Sequence, residues 1–346
     1  MKLIKTVDAE GAVLCHDITQ IIKGVTKDAV FRKGHIVTKE DIPVLLSVGK
    51  DQLYVWEKEE GMLHENDAAE VLCAMCKGEH MERSQAKEGK IELSAACDGL
   101  LKINNNGLKA VNGFGQMMIA TRHGNFAVKK GDKLAGTRII PLVIEEEKMT
   151  KAKEAAMAAT GNKPILNLLP FKHKKVGIVT TGNEVFYGRI KDTFTPVIEG
   201  KMAEFDTEII DHVTWNDDDT KVTTSILDMI HKGADIVVCT GGMSVDPDDR
   251  TPGAIKDTGA EIVTYGAPVL PGAMLLLAYY KTEDRTVPIL GLPGCVMYAK
   301  RTVFDLILPR VMADDRICAK EISAYGEGGL CLNCQTCTFP NCGFGK

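Results

Sequence analysis

The sequence predicts an α/β protein whose C-terminal half folds as a doubly wound, largely parallel sheet. Short apolar runs alternate there with amphipathic stretches over about 140 residues, which is the pattern of strands interleaved with helices. Capping residues or glycines separate the two kinds of stretch, and polar, glycine-bearing turns follow three of the apolar runs. In sheets of this kind ligands bind beyond the carboxyl ends of the strands, so these turns are the expected site.

The 346-residue chain is too long for one ordinary hydrophobic core, and two or three domains are expected. Changes in the residue pattern subdivide it further. In chain order we predict an N-terminal α+β segment (1–90), a β-rich segment (91–150), a linker (151–174), the doubly wound domain (175–315) and a cysteine-rich tail (316–346).

The apolar spacing in the N-terminal segment predicts two helices. The first begins near Glu40, and the second spans 66–77 and stops at Gly78. Cys73 and Cys76 form a CxxC pair on the apolar face of the second helix. That position favours packing in a core over a metal or redox role.

The β-rich segment contains a turn signal, Asn-Asn-Gly at 105–107, between two apolar runs, which predicts a β-hairpin. Further strands are expected at 126–128 and 139–144. A stretch rich in Ala, Lys and Glu over 148–159 then predicts a helix that ends at Gly161.

The doubly wound domain contains the strongest alternation of strand and helix signals. Strands are predicted at 176–180, 208–213, 235–239, 261–264, 275–279 and 287–290. Helices are predicted at 195–205, from Asp217 or Asp218 to Gly233, from Thr251 onward, and at 296–312.

The central turn of this domain, residues 240–252, reads TGGMSVDPDDRTP and follows a buried strand. Gly241 and Gly242 allow backbone N–H groups to approach a ligand closely. Thr251 is a good N-cap with Pro at the next position, so a helix with its positive end toward the turn is expected. Three aspartates in this turn favour a metal or a substrate hydroxyl as a further ligand: Asp246, Asp248 and Asp249. The alternative is a solvated acidic turn.

Two further polar turns should reach the same edge of the sheet. Thr181, Gly182, Asn183 and Glu184 follow the first strand, and 291–295 follow the last one. Because the carboxyl ends of parallel strands meet at one edge, we expect all three turns to surround one site.

Composition excludes several classes of protein. The formal charge of -5 argues against nucleic-acid binding, because no basic face is indicated. No apolar run approaches the roughly 18 residues of a membrane span. Asp8 and Glu10 interrupt the N-terminus before any signal-peptide core could form. We therefore expect a cytoplasmic protein without a membrane or nucleic-acid partner.

The three turns, in their order, resemble the molybdopterin-binding domain of the molybdopterin molybdenumtransferase family, relatives of the gephyrin E domain. The resemblance covers about 175–312. TTGNEV is similar to the family's TGDEL, GGMSVDPDD to its GGVSVGEAD, LPGAM to its PGKP and LPGCVM to its LPGNPVS.

This resemblance implies binding of adenylylated molybdopterin, insertion of molybdate into it and release of AMP. On matched positions it implies carboxylates that hold Mg2+ and the oxyanion: Glu184, Asp217, Asp218 and Asp249. It also implies a set of residues that hold phosphate or pterin: Thr181, Gly182, Thr240, Gly241, Gly242, Ser244, Pro271, Gly272, Pro293 and Gly294. The family forms dimers, so a homodimer is an expectation for this chain.

The chain departs from the family pattern at several positions. Asn183 replaces an aspartate, Ala273 replaces the lysine of PGKP, and Cys295 and Val296 replace the Asn-Pro of LPGNP. A second interpretation therefore stays open, namely a non-catalytic carrier or accessory factor that delivers molybdopterin to a molybdenum enzyme. The same domain type also occurs in a nicotinamide-nucleotide amidohydrolase family.

Four of the eleven cysteines crowd the last sixteen residues with the spacing CxxCxxCxxxxC: Cys331, Cys334, Cys337 and Cys342. In a cytosolic protein such a cluster favours a metal site over disulfides. Three thiols at successive three-residue steps favour a [4Fe-4S] cluster over Zn2+, which more often uses two separated CxxC pairs. The remaining alternative is a disordered, thiol-bearing end.

Overall fold

A computed structural model of the protein describes residues 2–22, 26–55, 60–244, 246 and 249–346. The chain divides into two units. The first comprises Met1–Ala96, Ile103–Arg122 and Gly131–Asn167, and the second comprises Cys97–Lys102, His123–Lys130 and Leu168–Lys346.

The strands and helices are numbered in chain order. The strands are β1 (Lys2–Lys5), β2 (Ile18–Ile22), β3 (Thr26–Phe31), β4 (Gln52–Val55), β5 (Met62–His64), β6 (Met81–Arg83), β7 (Lys90–Ala95), β8 (Gly99–Ile103), β9 (Met117–Thr121), β10 (Phe126–Val128), β11 (Lys133–Ile139), β12 (Val143–Glu145), β13 (Leu166–Pro170), β14 (Lys174–Thr181), β15 (Thr207–Trp215), β16 (Ile236–Thr240), β17 (Glu261–Tyr265), β18 (Leu276–Lys281) and β19 (Thr286–Leu292). The helices are α1 (Asp41–Ser47), α2 (Glu65–Cys76), α3 (Asn105–Asn112), α4 (Glu146–Thr160), α5 (Asn183–Phe186), α6 (Thr195–Met202), α7 (Asp219–His231), α8 (Thr251–Asp257), α9 (Val303–Met312) and α10 (Ala319–Ser323).

The first unit is built from small antiparallel sheets. The strands β1 and β4 pair, as do β2 and β3 and also β5 and β12, while β6, β7, β11 and β9 form a four-stranded sheet in that order. Helix α2 confirms the predicted second helix within one residue at each end. Cys73 and Cys76 are buried on its inner face, and burial raises the pKa of both thiols, as core packing requires.

The predicted hairpin at 105–107 is wrong, because this stretch is the first turn of α3. The side chain of Asn104 accepts a hydrogen bond from the Gly107 N–H at 3.0 Å and so caps the helix. Gly107 lies so close to the Thr160 side chain of α4 that a Cβ would collide with it. The Asn-Asn-Gly sequence therefore serves as a cap and a close helix contact, and tertiary packing overrides its turn propensity.

The six-stranded sheet of the second unit confirms the predicted doubly wound architecture. Its strand order is β15-β14-β16-β19-β18-β17, and the first four strands are parallel. Strands β18 and β17 at one side are antiparallel, so the sheet is mixed there. Alternate residues enter two different cores, with Ile178 and Val238 on one face and Val179 and Val237 on the other. Both faces of the sheet are therefore covered, which explains the nearly continuous apolar runs.

The predicted helix over 296–312 begins later than expected. A short 3-10 turn spans Gly294–Met297, and α9 starts only at Val303. Thr302 and Asp305 form a capping box, in which the Thr302 hydroxyl accepts from the Phe304 N–H and the Asp305 carboxylate accepts from the Thr302 N–H. This cap defines the helix start and leaves residues 298–301 as a connecting turn.

The cysteine-rich tail packs against the second unit. Leu330 forms a parallel bridge with Leu270, and Phe344 is buried in the core of this unit. The alternative of a disordered, thiol-bearing end is therefore wrong. Among the described residues, no helix combines the length and the apolar composition needed to cross a bilayer.

Candidate functional site

The carboxyl ends of the parallel strands bring the predicted turns to one edge of the sheet. In the strand register Thr181 of β14 pairs with Trp215 of β15, and Thr240 of β16 pairs with Leu292 of β19. Strand β18 runs the opposite way, and its first residue, Leu276, pairs with Gly291. The turns after β14, β15, β16 and β19 and the turn before β18 therefore share this edge.

Two buried threonines hold the turn that follows β16. The Thr181 and Thr251 hydroxyl oxygens lie 3.0 Å apart, and the Thr251 hydroxyl lies 2.9 Å from the Gly241 carbonyl oxygen. The N-cap prediction for Thr251 is wrong: α8 has Arg250 at its N-cap, and Thr251 is its first helical residue. The Thr251 side chain points back to the glycine turn because the hydroxyl finds an acceptor there.

Gly241 and Gly242 both adopt positive φ, +84° and +54°. At Gly241 the carbonyl oxygen of Thr181 occupies the place that a Cβ would need. At Gly242 a Cβ would stand 2.9 Å from the Thr251 hydroxyl oxygen. This turn therefore requires glycine for both conformation and space, and it presents bare backbone at the sheet edge.

The acidic part of the central turn is held by its own backbone. The Asp246 N–H donates to the Asp249 carboxylate at 3.1 Å, and the Asp249 N–H donates to the Asp246 carbonyl at 2.9 Å. Asp248 lies outside the described residues. The Tyr265 hydroxyl, at the end of β17, donates to the Met243 carbonyl at 3.0 Å. Burial, and then the charge of Asp249, raise the pKa of Tyr265.

Sequence reasoning missed Tyr265, although its position at the end of a strand beside the predicted edge was a usable signal. It also missed a polar cluster at the start of α6. There the Thr195 hydroxyl donates to the Asp192 carboxylate at 2.6 Å and lies 3.1 Å from the Thr180 hydroxyl. Burial raises the pKa of Asp192, but hydrogen bonds from Thr195 and from the Phe194 N–H outweigh it and hold the pKa below its ordinary value.

The turn after β15 carries a row of oxygen-bearing side chains. The Asn183 amide donates to the Asp217 carboxylate at 2.6 Å, and Asp218 caps α7 by accepting from the Lys221 N–H. Asp219 and Asn216, which the sequence analysis did not select, each place one buried Oδ1 here, and neither oxygen has a hydrogen-bond partner among the described residues. Two buried acceptor oxygens in this turn therefore lack a hydrogen bond from the described residues.

The remaining predicted residues are spread along the same edge. Glu184 and Ser244 are exposed. Gly272, with φ +127°, packs so closely on Val303 that a Cβ would collide with it, and Pro271 accepts a hydrogen bond from the Val303 N–H at 3.1 Å. By contrast, a Cβ at Gly294 would meet open space. The Pro271–Gly272 turn therefore has a packing role, whereas the turn at Gly294 is accessible.

The four tail cysteines lie together in the second unit, beside Pro271 of the turn before β18. They line one cavity of about 210 Å3: Cys331, Cys334, Cys337 and Cys342. Across the described part of the chain, no three His, Cys, Asp or Glu side chains stand close enough together to hold one metal ion.

Comparison with known proteins agrees with this architecture. Residues 177–313 match a family described as "Probable molybdopterin binding domain", and residues 3–57 match a "Domain of unknown function (DUF8806)". A "CinA-like protein" of Syntrophus aciditrophicus (strain SB) is 36% identical over 81 residues, which are 23% of this chain and 19% of that protein. A "CinA-like protein" of Mycobacterium tuberculosis (strain ATCC 25618 / H37Rv) is 31% identical over 77 residues, 22% of this chain and 18% of that protein. The chain thus spans about a fifth of the length of the curated relatives it matches.

Two solved structures are similar to part of this chain. The tungsten cofactor synthesizing protein MoaB from Pyrococcus furiosus is 19% identical, with a TM-score of 0.35, over 42% of this chain and 99% of that one. The molybdopterin biosynthesis enzyme MoaB from Thermus thermophilus is 22% identical, with a TM-score of 0.32, over 40% and 91%. Residues 177–313, less than half of the chain, thus match the model of a probable molybdopterin-binding domain.

Proposed function

We propose that the second unit binds adenylylated molybdopterin at the carboxyl edge of its sheet and inserts molybdate into it with release of AMP. The observation that carries this proposal is the Gly241–Gly242 turn, which offers bare backbone beside carboxylates in a domain of the molybdopterin-binding superfamily. A phosphorylated pterin needs hydrogen-bond donors close to its phosphates, and a turn without Cβ atoms allows that approach.

Hydrogen bonds support the glycine turn from two sides. On the buried side, the Thr251 hydroxyl contacts the Thr181 hydroxyl and donates to the Gly241 carbonyl. Beyond the two glycines, the Tyr265 hydroxyl donates to the Met243 carbonyl. A turn held in advance does not need to be ordered on binding, which favours affinity. In this proposal the chain positions the phosphates here and leaves the pterin to the accessible turn at Gly294.

The oxygen donors along the edge fit a hard divalent cation. The two buried oxygens of Asn216 and Asp219 lack partners in the described part of the chain. Asp217 contributes a carboxylate in the same turn, and Asp249 contributes one in the central turn. Mg2+ is commonly bound through one or two carboxylates together with substrate phosphates, so the protein need not supply three converging ligands. When bound, Mg2+ would neutralise charge that develops on the phosphate during its transfer.

Each carboxylate has a distinct place in the proposal. Asp249 stands in the glycine turn itself and would face the cation beside the phosphate. Asp217 would share the cation from the turn after β15, while Asp218 is engaged as the cap of α7. Glu184 is exposed in the short helix α5, which follows β14, and would contact molybdate or the cation.

Two observations favour the second candidate, a molybdopterin carrier without insertion activity. Asn183 stands where the molybdenumtransferase pattern has an aspartate, and its amide occupies one oxygen of Asp217. Ala273 stands where that pattern has a lysine. Both changes remove charge from the proposed reaction and leave the glycine turn intact, so they weaken chemistry more than binding. In that case the pterin would pass to a molybdenum enzyme.

One experiment separates the candidates. The purified protein is incubated without oxygen with adenylylated molybdopterin, molybdate and Mg2+, and bound pterin and released AMP are measured in the same samples. Release of AMP that requires molybdate supports insertion. Tight pterin binding without AMP release establishes the carrier, and absence of both overturns the proposal.

The variant Asn183→Asp sharpens this test. In the absence of a cation it places two carboxylates 2.6 Å apart, the present distance between the Asn183 amide nitrogen and Asp217. Mg2+ should relieve the repulsion, so the variant should bind Mg2+ more tightly and release AMP faster than the wild type. Asn162→Asp, at an exposed position of the first unit, is the matched control.

A further inference from the structure

The tail cysteines and one turn of the second unit enclose a single cavity. All four cysteines of the tail line its wall, together with Pro271 and the turn 299–301. Its volume is about 210 Å3. None of the other seven cysteines of the chain lines it. The four thiols of the CxxCxxCxxxxC pattern therefore line one cavity, which none of the other cysteines lines.

The tail is anchored at both of its ends. The Cys331 N–H donates to the Leu270 carbonyl at 2.8 Å, and the Leu270 N–H donates to the Gly329 carbonyl at 2.8 Å. Phe344 is buried, and its ring lies 6.1 Å from that of Phe339. Cys331 and Cys342 are half-buried beside these anchors, whereas Cys334 and Cys337 are exposed on the segment between them.

Two basic side chains contribute to the same wall. The Lys300 ammonium donates to the Gln335 carbonyl at 2.8 Å and so ties the turn to the exposed part of the tail. The Arg301 guanidinium lies 5.2 Å from the centre of the Phe339 ring and also pairs with Asp305. Thiolates repel one another in a small space, and positive charge nearby stabilises them. From Cys331 to residue 346 the sequence contains only Lys346 for this purpose.

From these observations we propose that the cavity is the binding site of an iron–sulfur cluster of the [4Fe-4S] type, ligated by Cys331, Cys334, Cys337 and Cys342. Four cysteine thiolates are the usual ligand set of such a cluster. The wall combines two half-buried and two exposed thiols with aromatic rings and two cations, which suits an anionic group near the surface of the unit.

The size of the cavity favours a cluster over a single ion. Four thiolates bound to one Zn2+ stand about 2.3 Å from it, which leaves no space for even a water between them. The cavity of about 210 Å3 is more than ten times the roughly 10–15 Å3 that one water needs. In the described chain, moreover, no three of these thiols converge on a single point. A polyatomic group that spans the cavity fits both observations.

The cavity adjoins the sheet edge described above. Pro271 lines the cavity and also belongs to the turn before β18. The turn 299–301 follows the accessible Gly294 turn in the chain. The cluster would therefore lie beside the carboxyl edge of the sheet. The inference does not depend on molybdopterin binding, because every residue that carries it belongs to the tail or to its supporting turn.

The test uses the full-length protein, purified without oxygen and reconstituted with ferrous iron and sulfide. Iron, zinc and acid-labile sulfide are measured per chain, and visible absorbance is recorded before and after reduction with dithionite. Cys334→Ser and Cys337→Ser are the test variants, because both side chains are exposed and their replacement removes no core packing. Cys318→Ser is the matched control, an exposed cysteine of the same unit that does not line the cavity.

We expect brown wild-type protein and brown Cys318→Ser protein with equal amounts of iron and sulfide, and absorbance that bleaches on reduction. The two test variants should lose most of the iron and the colour while their far-ultraviolet circular dichroism is unchanged. Three outcomes overturn the proposal: one zinc per chain without iron, colourless metal-free protein after reconstitution, or equal iron in all four proteins. Pterin binding by the colourless variants shows separately whether the proposed function stands.

Discussion

The hydroxyl oxygens of Thr181 and Thr251 lie 3.0 Å apart and connect the end of β14 to the first residue of α8. Thr181 also reaches the Thr240 carbonyl at 3.3 Å, and Thr251 reaches the Gly241 carbonyl at 2.9 Å. Two hydroxyls have two hydrogens, so at most two of these three contacts are hydrogen bonds at one time. The pair supports the glycine turn from inside the fold.

The variant Thr251→Val should destabilise the second unit by about 1–3 kcal/mol, because the Gly241 carbonyl loses a buried donor while the shape of the side chain is kept. Thermal and urea unfolding measure the change. Thr224→Val, on the exposed face of α7, should stay within about 0.5 kcal/mol of the wild type. Equal stability of the Thr251 variant and the control would show that the hydroxyl does not hold the turn.

Substitutions in the glycine turns should separate folding from binding. Gly241→Ala and Gly242→Val should both abolish pterin binding, because each forces a side chain into a left-handed conformation against Thr181 or Thr251. Gly294→Ala has open space for its methyl group and should unfold at the wild-type temperature. If the ligand approaches that turn, Gly294→Ala should still weaken pterin binding several-fold. Unchanged affinity in Gly242→Val would exclude this edge as the site.

Asp249→Asn should leave pterin affinity within about twofold and slow AMP release by at least about tenfold, because only the charged step loses its carboxylate. The asparagine oxygen can still accept the hydrogen bond from the Asp246 N–H, so the turn is preserved. Single-turnover AMP release at saturating molybdate measures the effect. Asp257→Asn, at the other end of α8, provides the control. Equal rates for the two variants would remove Asp249 from the proposed chemistry.

His64 should make the stability of the first unit depend on pH. Its Nδ1 accepts from the Asn66 N–H at 3.2 Å and lies 3.0 Å from the Lys33 ammonium, while its Nε2 lies 2.8 Å from the Cys15 carbonyl. The neutral ring with hydrogen on Nε2 donates to the Cys15 carbonyl, and its single Nδ1 lone pair is shared between the Asn66 N–H and the Lys33 ammonium. Burial lowers the pKa of His64, and the hydrogen bond to the Cys15 carbonyl raises it by a smaller amount, so the pKa stays below its ordinary value.

Because the folded pKa lies below the ordinary value of 6.5, the unfolded chain takes up the proton first as the pH falls. The stability that His64 contributes is therefore complete above pH 6.5 and is lost as the pH falls through the folded pKa. Unfolding of the wild type at about pH 7.5 and about pH 5.5 should show this loss. His64→Asn can still cap α2 but does not titrate, so its loss should be smaller. His80→Asn, at an exposed left-handed position, should behave as the wild type.

Much of the second unit was predictable because its signals are local. The strand at Ile236–Thr240 is a continuous apolar run, and Val222, Ile226, Met229 and Ile230 mark the inner face of α7 at helical spacing. The topology rule for parallel sheets then places the turns after β14, β16 and β19 at one edge. These inferences need only periodicity and chain order.

Other features depended on partners far away in the chain. Residues 105–107 form a helical turn despite their turn propensity, because Asn104 caps the helix and Gly107 packs closely against Thr160. Thr251 has the sequence context of an N-cap, but the Gly241 carbonyl offers its hydroxyl a different acceptor. Neither the contact with Thr160 nor the Gly241 carbonyl can be recognised from the residues next to these positions in the sequence.

The sequence by itself determined the alternation of strands and helices, the glycine turns at strand ends and the spacing of the tail cysteines, since each is a pattern among near neighbours. Only the tertiary structure decided that Tyr265 braces the central turn and that Lys300 and Arg301 stand beside the cysteines. It also decided that Asn216 and Asp219 each keep a buried Oδ1 without a hydrogen-bond partner among the described residues. The physical reason is the same in each case: burial and hydrogen-bond pairing arise between segments that the fold, not the chain order, makes adjacent.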